Sequence, residues 1–94
     1  MPEKAAIHAI VHGRVQGVSF RAFTQQKALT FNLTGFVRNS ISGDEVEVFA
    51  EGDRSVLEKF IETLKKGPPG AAVSEITIDW PQYIAKFNSF NIRY

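Results

Sequence analysis

The order of hydrophobic periodicities along this chain is the feature that most restricts its fold. Segments in which apolar and polar residues alternate, as they do in β-strands, are interrupted twice by segments with the spacing of an amphipathic helix. The alternating segments are residues 6–12, 34–39, 45–50, 74–80 and 87–94, and the helical ones run from Phe20 to about Asn32 and over about 54–66. The sequence therefore predicts the order strand, helix, strand, strand, helix, strand, with a short last strand.

One sheet that carries both helices on the same face buries the apolar sides of these elements economically. This is the split strand–helix–strand arrangement of ferredoxin-like folds, in which the first two strands run parallel and the third lies antiparallel between them. We expect an α+β protein, a ferredoxin-like α/β sandwich in the order βαββαβ. It would have a mainly antiparallel sheet of four to five strands and two helices on one face, in a single domain over residues 1–94. The C-terminal ends of the first and second strands should then lie at one edge of the sheet.

The second helix has recognisable signals at both ends. Asp53 is a candidate N-cap, although Ser55 together with Glu58 also fits a capping box. Two lysines at positions 65 and 66 suit the negative end of the helix dipole, and Gly67 with the two prolines after it ends the helix. Residue types as well as periodicity therefore predict the bounds of this element.

Composition excludes several classes of site and partner. The 94 residues include no cysteine, so neither a disulfide framework nor a thiolate metal site is available. Eleven basic and ten acidic side chains nearly balance, which gives no reason to expect a nucleic acid or an anionic membrane as partner. No apolar run approaches the roughly 20 residues of a membrane span. The start MPEK lacks the pattern of a secretory signal. We expect a cytoplasmic monomer.

The segment GRVQGVSFR, residues 13–21, joins the first strand to the first helix and has the character of an anion-binding loop. Gly13 and Gly17 allow backbone angles that other residues avoid, and they let a ligand approach the main chain. The amide groups of residues 14–20 can point inward, with the positive end of the helix behind them. The same glycines are also ordinary in a turn. The segment lacks the Lys-Ser/Thr ending of a nucleotide-binding P-loop, so it does not predict ATP or GTP binding.

Two polar side chains are predicted at the same edge of the sheet. Arg21, in the first turn of the helix, carries a planar guanidinium group that suits phosphate or carboxylate. Asn39 ends the second strand and brings one amide donor and one acceptor. Each also has a plain structural explanation, because such arginines are often solvated and such asparagines often form turns. Together they predict an anion cradle beside a polar group that can hold a water.

The segment GRVQGVSFR followed by TGFVRN strongly resembles the acylphosphatases, small enzymes that hydrolyse the carboxyl–phosphate bond. VEVFAEG, GPPGAAV and the closing FNIRY extend the resemblance over nearly the whole chain. The resemblance implies hydrolysis of a small acyl phosphate to a carboxylate and inorganic phosphate, with no metal and no organic cofactor. The chain departs from the usual pattern at Ser19, at Phe36 and in SGDEVEV, which is one residue longer and is expected to add a bulge.

The resemblance also implies roles for individual residues. Arg21 matches the substrate-binding arginine of the family, and Asn39 matches its water-orienting asparagine. The amides that hold the phosphate would come from Val15, Gln16, Gly17, Val18, Ser19 and Phe20. The leaving carboxylate needs no proton, so the protein has only to balance phosphoryl charge and place a water in line. His8 and His12 are therefore not required as a general base.

Three alternatives have the same element order. RNA-recognition domains read bases on a basic, aromatic third strand, whereas DEVEVFAEG carries four acidic residues and one aromatic. A domain of this fold can also belong to a larger protein that processes carbamoyl phosphate, including hydrogenase-maturation factors. The start at Met1 and the end with the last strand favour an independent enzyme. A non-catalytic domain that binds phosphate or acyl phosphate remains the alternative, because a good phosphate site need not be a good catalyst.

Overall fold

The computed structural model describes residues 3–15, 19–41 and 44–93. Within them the predicted order of elements is confirmed. The strands and helices are β1 (Lys4–Arg14), α1 (Phe20–Thr30), β2 (Thr34–Asn39), β3 (Glu45–Asp53), α2 (Arg54–Lys66), β4 (Ala72–Asp79) and β5 (Phe90–Arg93).

The five strands form one sheet in the order β4-β1-β3-β2-β5. β3 pairs antiparallel with both β1 and β2, so those two strands run parallel on either side of it, as predicted. β4 is antiparallel to β1, and β5 is parallel to β2. Val46 on β3 is the partner of both Val11 and Asn39, which places these three residues in one row across the sheet.

The core lies between the sheet and the two helices. Alternate residues of β1 and β3 point into it, because successive side chains of a strand face opposite sides of the sheet. On α1 the buried residues are Phe20, Thr24 and Ala28, and Phe31, which follows the helix, is partly buried and packs against the core. The buried apolar residues of β1, β3 and α2 include Ile7, Ala9, Val11, Val46, Val48, Ala50, Leu57, Phe60, Ile61 and Leu64.

The other face of the sheet, here called the outer face, is partly covered by the segment that joins β4 to β5. Glu51 of β3 is 1% exposed, and its carboxylate accepts hydrogen bonds from the backbone N–H groups of Ile84 and Lys86 at 3.1 and 2.9 Å. The ring of Phe87 lies 5.8 Å from that of Phe36 and 5.4 Å from that of Phe49, between centroids. A buried carboxylate and an aromatic cluster thus hold this segment against the sheet.

The bounds of α2 follow one of the two predicted N-terminal signals. The helix begins at Arg54, and Asp53 occupies the N-cap position without a capping hydrogen bond from its side chain. A helix that starts here does not use Ser55 as its cap, so the capping-box interpretation is wrong. Gly67 follows the last helical residue with φ of 65° and donates its N–H to the carbonyl of Thr63.

Two details of the strands differ from the expectation. The pairing of β2 with β3 is regular from Thr34 to Asn39, and residues 42–43 of the longer turn lie outside the described residues. The bulge expected in that turn therefore stays a prediction. A bulge that was not predicted lies between His12 and Gly13, where β1 shifts register against β4. β4 runs from Ala72 to Asp79, so the predicted strand, residues 74–80, began two residues late and ended one residue late. Tyr94, at the predicted end of the last strand, also lies outside the described residues.

Gly13 is required by this bulge. Its φ is +123°, and a Cβ atom added there would lie 2.1 Å from the carbonyl oxygen of Ala72. The conformational freedom predicted for Gly13 is thus confirmed, but what approaches its backbone is the main chain of β4. Gly17, the second glycine of the segment, lies outside the described residues.

Candidate active site

The C-terminal ends of β1 and β2 define the edge at which the predicted site lies. The strands are parallel, and Val11 of β1 is level with Asn39 of β2. β1 continues to Arg14, and α1 begins six residues later at Phe20. The segment from β1 to α1 and the end of β2 are therefore brought to one edge, as the predicted topology requires.

The segment between β1 and α1 is fixed at both ends by buried side chains. Val15 and Phe20 are each 1% exposed and belong to the hydrophobic core. Burying side chains of this size contributes roughly 1.5–3 kcal/mol each, so the two ends are firmly held. Gln16, Gly17 and Val18 lie outside the described residues, and the proposal that their amides hold phosphate stays a prediction.

Ser19 gives the segment its final turn into the helix. Its φ and ψ are 62° and 25°, the left-handed conformation that residues with a side chain seldom adopt. Such a conformation stores on the order of 1 kcal/mol and is often found at ligand sites. The Ser19 side chain makes no capping hydrogen bond, while its carbonyl accepts one from the N–H of Phe23 at 3.0 Å. α1 has no acidic residue in its first turn, so no carboxylate there offsets the positive end of the helix dipole.

Arg21 lies in this first turn of α1, as predicted, and is half-buried. Its backbone is therefore at the positive end of the helix, beside the segment that leaves β1. A guanidinium group that starts from this position can supply two parallel N–H donors to a phosphoryl group. The N-terminal end of α1 and the guanidinium group of Arg21 both attract an anion.

Asn39 carries an unsatisfied acceptor. Its Oδ1 is buried and has no hydrogen-bond partner among the residues that the structure describes. A buried amide oxygen without a partner costs about 1–3 kcal/mol, so folded proteins rarely keep one. By strand alternation Asn39 shares the helix-facing side of β2 with Val37. The atom is available to accept a hydrogen bond from a water at the edge where α1 begins.

A network of charged side chains lies on the outer face next to this edge. Glu47 of β3 accepts a hydrogen bond from Nε of Arg38 on β2, and its other carboxylate oxygen lies 2.6 Å from Nε2 of His8 on β1. Burial alone would raise the pKa of Glu47, but hydrogen bonds from His8 and Arg38 outweigh it and hold the pKa below the usual 4.5. An open groove of about 590 Å³ is lined by Ile10, Arg38, Asn39, Ser40, Ile41 and Glu47.

Both histidines of β1 are engaged on this outer face. His8 pairs with Glu47, and Nδ1 of His12 lies 2.9 Å from Oε2 of Glu45. By alternation they point away from Val11, which faces the helices. Sequence reasoning assigned the histidines no role but missed these pairs. The signal that would have found them is the register of β3 against β1, which one sequence does not give.

The residues that the structure describes were also compared with the requirements of a metal site and of a membrane span. In 3–15, 19–41 and 44–93, three or more histidine, aspartate or glutamate side chains nowhere converge as a metal site would require. Neither of the described helices is long and apolar enough to cross a membrane.

Known proteins are related to the chain over nearly its whole length. The family model described as Acylphosphatase matches residues 7–92. An acylphosphatase of Dehalococcoides mccartyi is 42% identical over 88 residues, which are 94% of this chain and 97% of that protein. The crystal structure of acylphosphatase from Bacillus subtilis has a TM-score of 0.91 at 38% identity, and the match covers 96% of this chain and 99% of the other. A crystal structure of full-length HypF, bound to phosphate and nucleotide, matches with a TM-score of 0.88 at 32% identity. That match covers 100% of this chain but 12% of HypF.

Proposed function

Because the chain belongs to the acylphosphatase family and is a hydrolase that acts on acyl phosphates, we propose that it divides this reaction between two groups at one edge of its sheet. Arg21 and the segment before α1 bind the phosphoryl group, and Asn39 holds the attacking water. The observation that carries this proposal is the buried Oδ1 of Asn39, for which residues 3–15, 19–41 and 44–93 offer no hydrogen-bond partner, at the edge where α1 begins.

The phosphate-binding part supplies positive charge without a metal ion. Arg21 provides guanidinium donors, and the first turn of α1 provides N–H groups that an α-helix does not pair internally, at the positive end of the helix dipole. We propose that the main-chain amides from Val15 to Phe20 complete the cradle. These donors balance the charge on the phosphoryl oxygens in a transition state that is largely dissociative.

Asn39 sets the direction from which the water attacks. A water that donates one hydrogen to Asn39 Oδ1 keeps a lone pair free for the phosphorus atom. The P–O bond to the acyl group breaks opposite the attacking water, so the acyl group leaves on the side away from β2. The carboxylate departs unprotonated, and the proton of the water ends on the product phosphate. The reaction therefore proceeds without a general base from the protein, and His8 and His12 stay outside it.

Hydrolysis of benzoyl phosphate, followed by its ultraviolet absorbance in the presence of EDTA, tests the proposal. Arg21→Ala should lose both turnover and the inhibition by inorganic phosphate that reports phosphate binding. Lys27→Ala is the matched control, because it removes one positive charge from the last turn of the same helix. It should retain both properties.

Three results would contradict the proposal. Equal phosphate inhibition constants in Arg21→Ala and the unchanged protein would remove the arginine from the phosphate site. A folded protein that binds phosphate and hydrolyses no acyl phosphate would be the non-catalytic binding domain. Loss of turnover on addition of EDTA would contradict metal-independent hydrolysis.

We further propose that the chain works as a cytoplasmic monomer. Near-balanced charge supports this proposal, since it supplies no strong attraction to membranes or nucleic acids. Light scattering on the purified protein at micromolar concentration should give the mass of one chain, 10.5 kDa. A mass of two chains would refute the monomer.

A further inference from the structure

The charged network on the outer face links the three central strands near the candidate active site. Glu47 lies on β3, and its partners Arg38 and His8 lie on β2 and β1. Arg38 is directly opposite Glu47 in the register of the β2–β3 pair, and His8 is diagonal to it across the β1–β3 pair. One carboxylate thus joins the two strands that flank β3.

Those two strands carry the two parts of the proposed site. β1 leads into the phosphate-binding segment, and β2 ends at Asn39. They are not neighbours in the sheet, so their relative position depends on β3 and on side chains that reach across it. Arg38 immediately precedes Asn39, and both residues line the same open groove as Glu47.

The link is built to persist at neutral pH. The side chain of Glu47 is only 18% exposed, and both of its oxygens are engaged by different partners. Charge-assisted hydrogen bonds of this kind are shorter and stronger than neutral ones. Residues of β1 and β2 thus bind the two oxygens of the Glu47 carboxylate. This contact restricts the end of β2 more than backbone pairing alone does.

We propose that Glu47 is a positioning residue for hydrolysis: through Arg38 it fixes the end of β2, and thereby the direction in which Asn39 holds the attacking water. The inference rests on the role proposed above for Asn39. It assigns Glu47 no contact with the substrate. Its effect should therefore fall on turnover and spare the binding of the phosphoryl group.

Glu47→Gln is the first test, because it keeps the shape of the side chain and removes its charge. We expect kcat for benzoyl phosphate to fall roughly three- to tenfold, since small misplacement of a reacting group is sufficient for such a loss. KM and the phosphate inhibition constant should stay within twofold. Arg38→Met cuts the same link from the other strand and should give the same pattern.

Asp53→Asn is the matched control. Asp53 also lies on β3 and forms a cross-strand ion pair with Lys4 of β1 at 2.7 Å, at the opposite end of the same strand pair. Its side chain makes no helix-capping hydrogen bond that the substitution would remove. The variant should therefore retain full kcat. A loss of kcat equal to that of Glu47→Gln would show a general effect of breaking cross-strand pairs.

A double-mutant cycle with Asn39→Ala separates a positioning role from a merely structural one. If Glu47 acts through Asn39, Glu47→Gln should lower kcat in the unchanged protein and have no further effect when Asn39 is alanine. Equal losses in both backgrounds, or no loss in the first, would refute the inference. If Asn39→Ala by itself leaves kcat unchanged, the role proposed for Asn39 fails, which is a different and recognisable outcome.

Discussion

Replacing Asn39 with alanine should slow the reaction and leave the fold at least as stable as before. The two effects have one cause, the buried Oδ1 that no described residue satisfies. No contact among the described residues depends on this atom as an acceptor, and its use is to hold a water or a substrate group. When a residue that serves catalysis at the expense of stability is replaced, kcat should fall while the free energy of unfolding stays the same or rises.

The magnitudes can be worked out separately. Loss of one positioned hydrogen-bonding group in an active site costs about 3 kcal/mol of transition-state stabilisation, or roughly 150-fold in kcat. Removing the Oδ1 atom that no described residue satisfies should return about 1–3 kcal/mol of desolvation. The substitution by alanine also loses packing and strand propensity, which lowers the free energy of unfolding by about 1 kcal/mol. The free energy of unfolding should therefore rise by about 0–2 kcal/mol.

Benzoyl phosphate hydrolysis gives kcat, and guanidinium denaturation gives the free energy of unfolding. Asn91→Ala is a suitable control, because Asn91 lies on the neighbouring β5 and its amide is satisfied by the hydroxyl of Ser89 at 3.0 Å. It should leave kcat unchanged. The reasoning is refuted if Asn39→Ala keeps full kcat, or if it loses more than about 1 kcal/mol of stability, since an unpaired atom cannot stabilise the fold.

Two further predictions concern stability. Gly13→Ala should lower the free energy of unfolding by about 2–4 kcal/mol in denaturant titrations, because the new Cβ would lie 2.1 Å from the carbonyl oxygen of Ala72 at a positive φ; an unchanged midpoint would show that the bulge can rearrange. The depressed pKa of Glu47 adds stability that is present above its usual value of 4.5 and is lost as pH falls through the lower pKa of the folded protein. On acidification below pH 4.5, melting temperatures should thus fall less steeply in Glu47→Gln than in the unchanged protein, and parallel curves would contradict a stabilising role of the Glu47 charge.

Local patterns were sufficient to predict most of the fold. β2 has the predicted bounds, Thr34 to Asn39, since turn residues flank a short apolar strand. The parallel arrangement of β1 and β2 followed from the element order, because it buries the helix stripes on one face. The start of α2 was ambiguous because two capping patterns overlap within six residues. At Trp80 the alternation simply continued past the point where pairing ends.

The candidate site was predictable in its residue types and not in its environment. The helix position of Arg21 and the strand-end position of Asn39 depend on neighbours in sequence, so patterns and family resemblance both located them. The buried Oδ1 of Asn39, which no described residue satisfies, depends on packing between segments distant in sequence, which no local pattern records. The Glu47 network depends on register between strands. Alternation tells which side of a strand a residue faces, but not which residue lies opposite.

The position of β1 in the sheet also has a consequence for biosynthesis. β1 ends at Arg14, but its partners begin only at Glu45 and Ala72, so a strand made early waits for neighbours made much later. Its stretch AAIHAIV has no formal charge, proline or glycine, which is the composition that promotes cross-β association. Lys4 and Arg14 flank this stretch and act as charged gatekeepers against self-association. Refolding yield should therefore depend on protein concentration as well as on the stability of the finished fold.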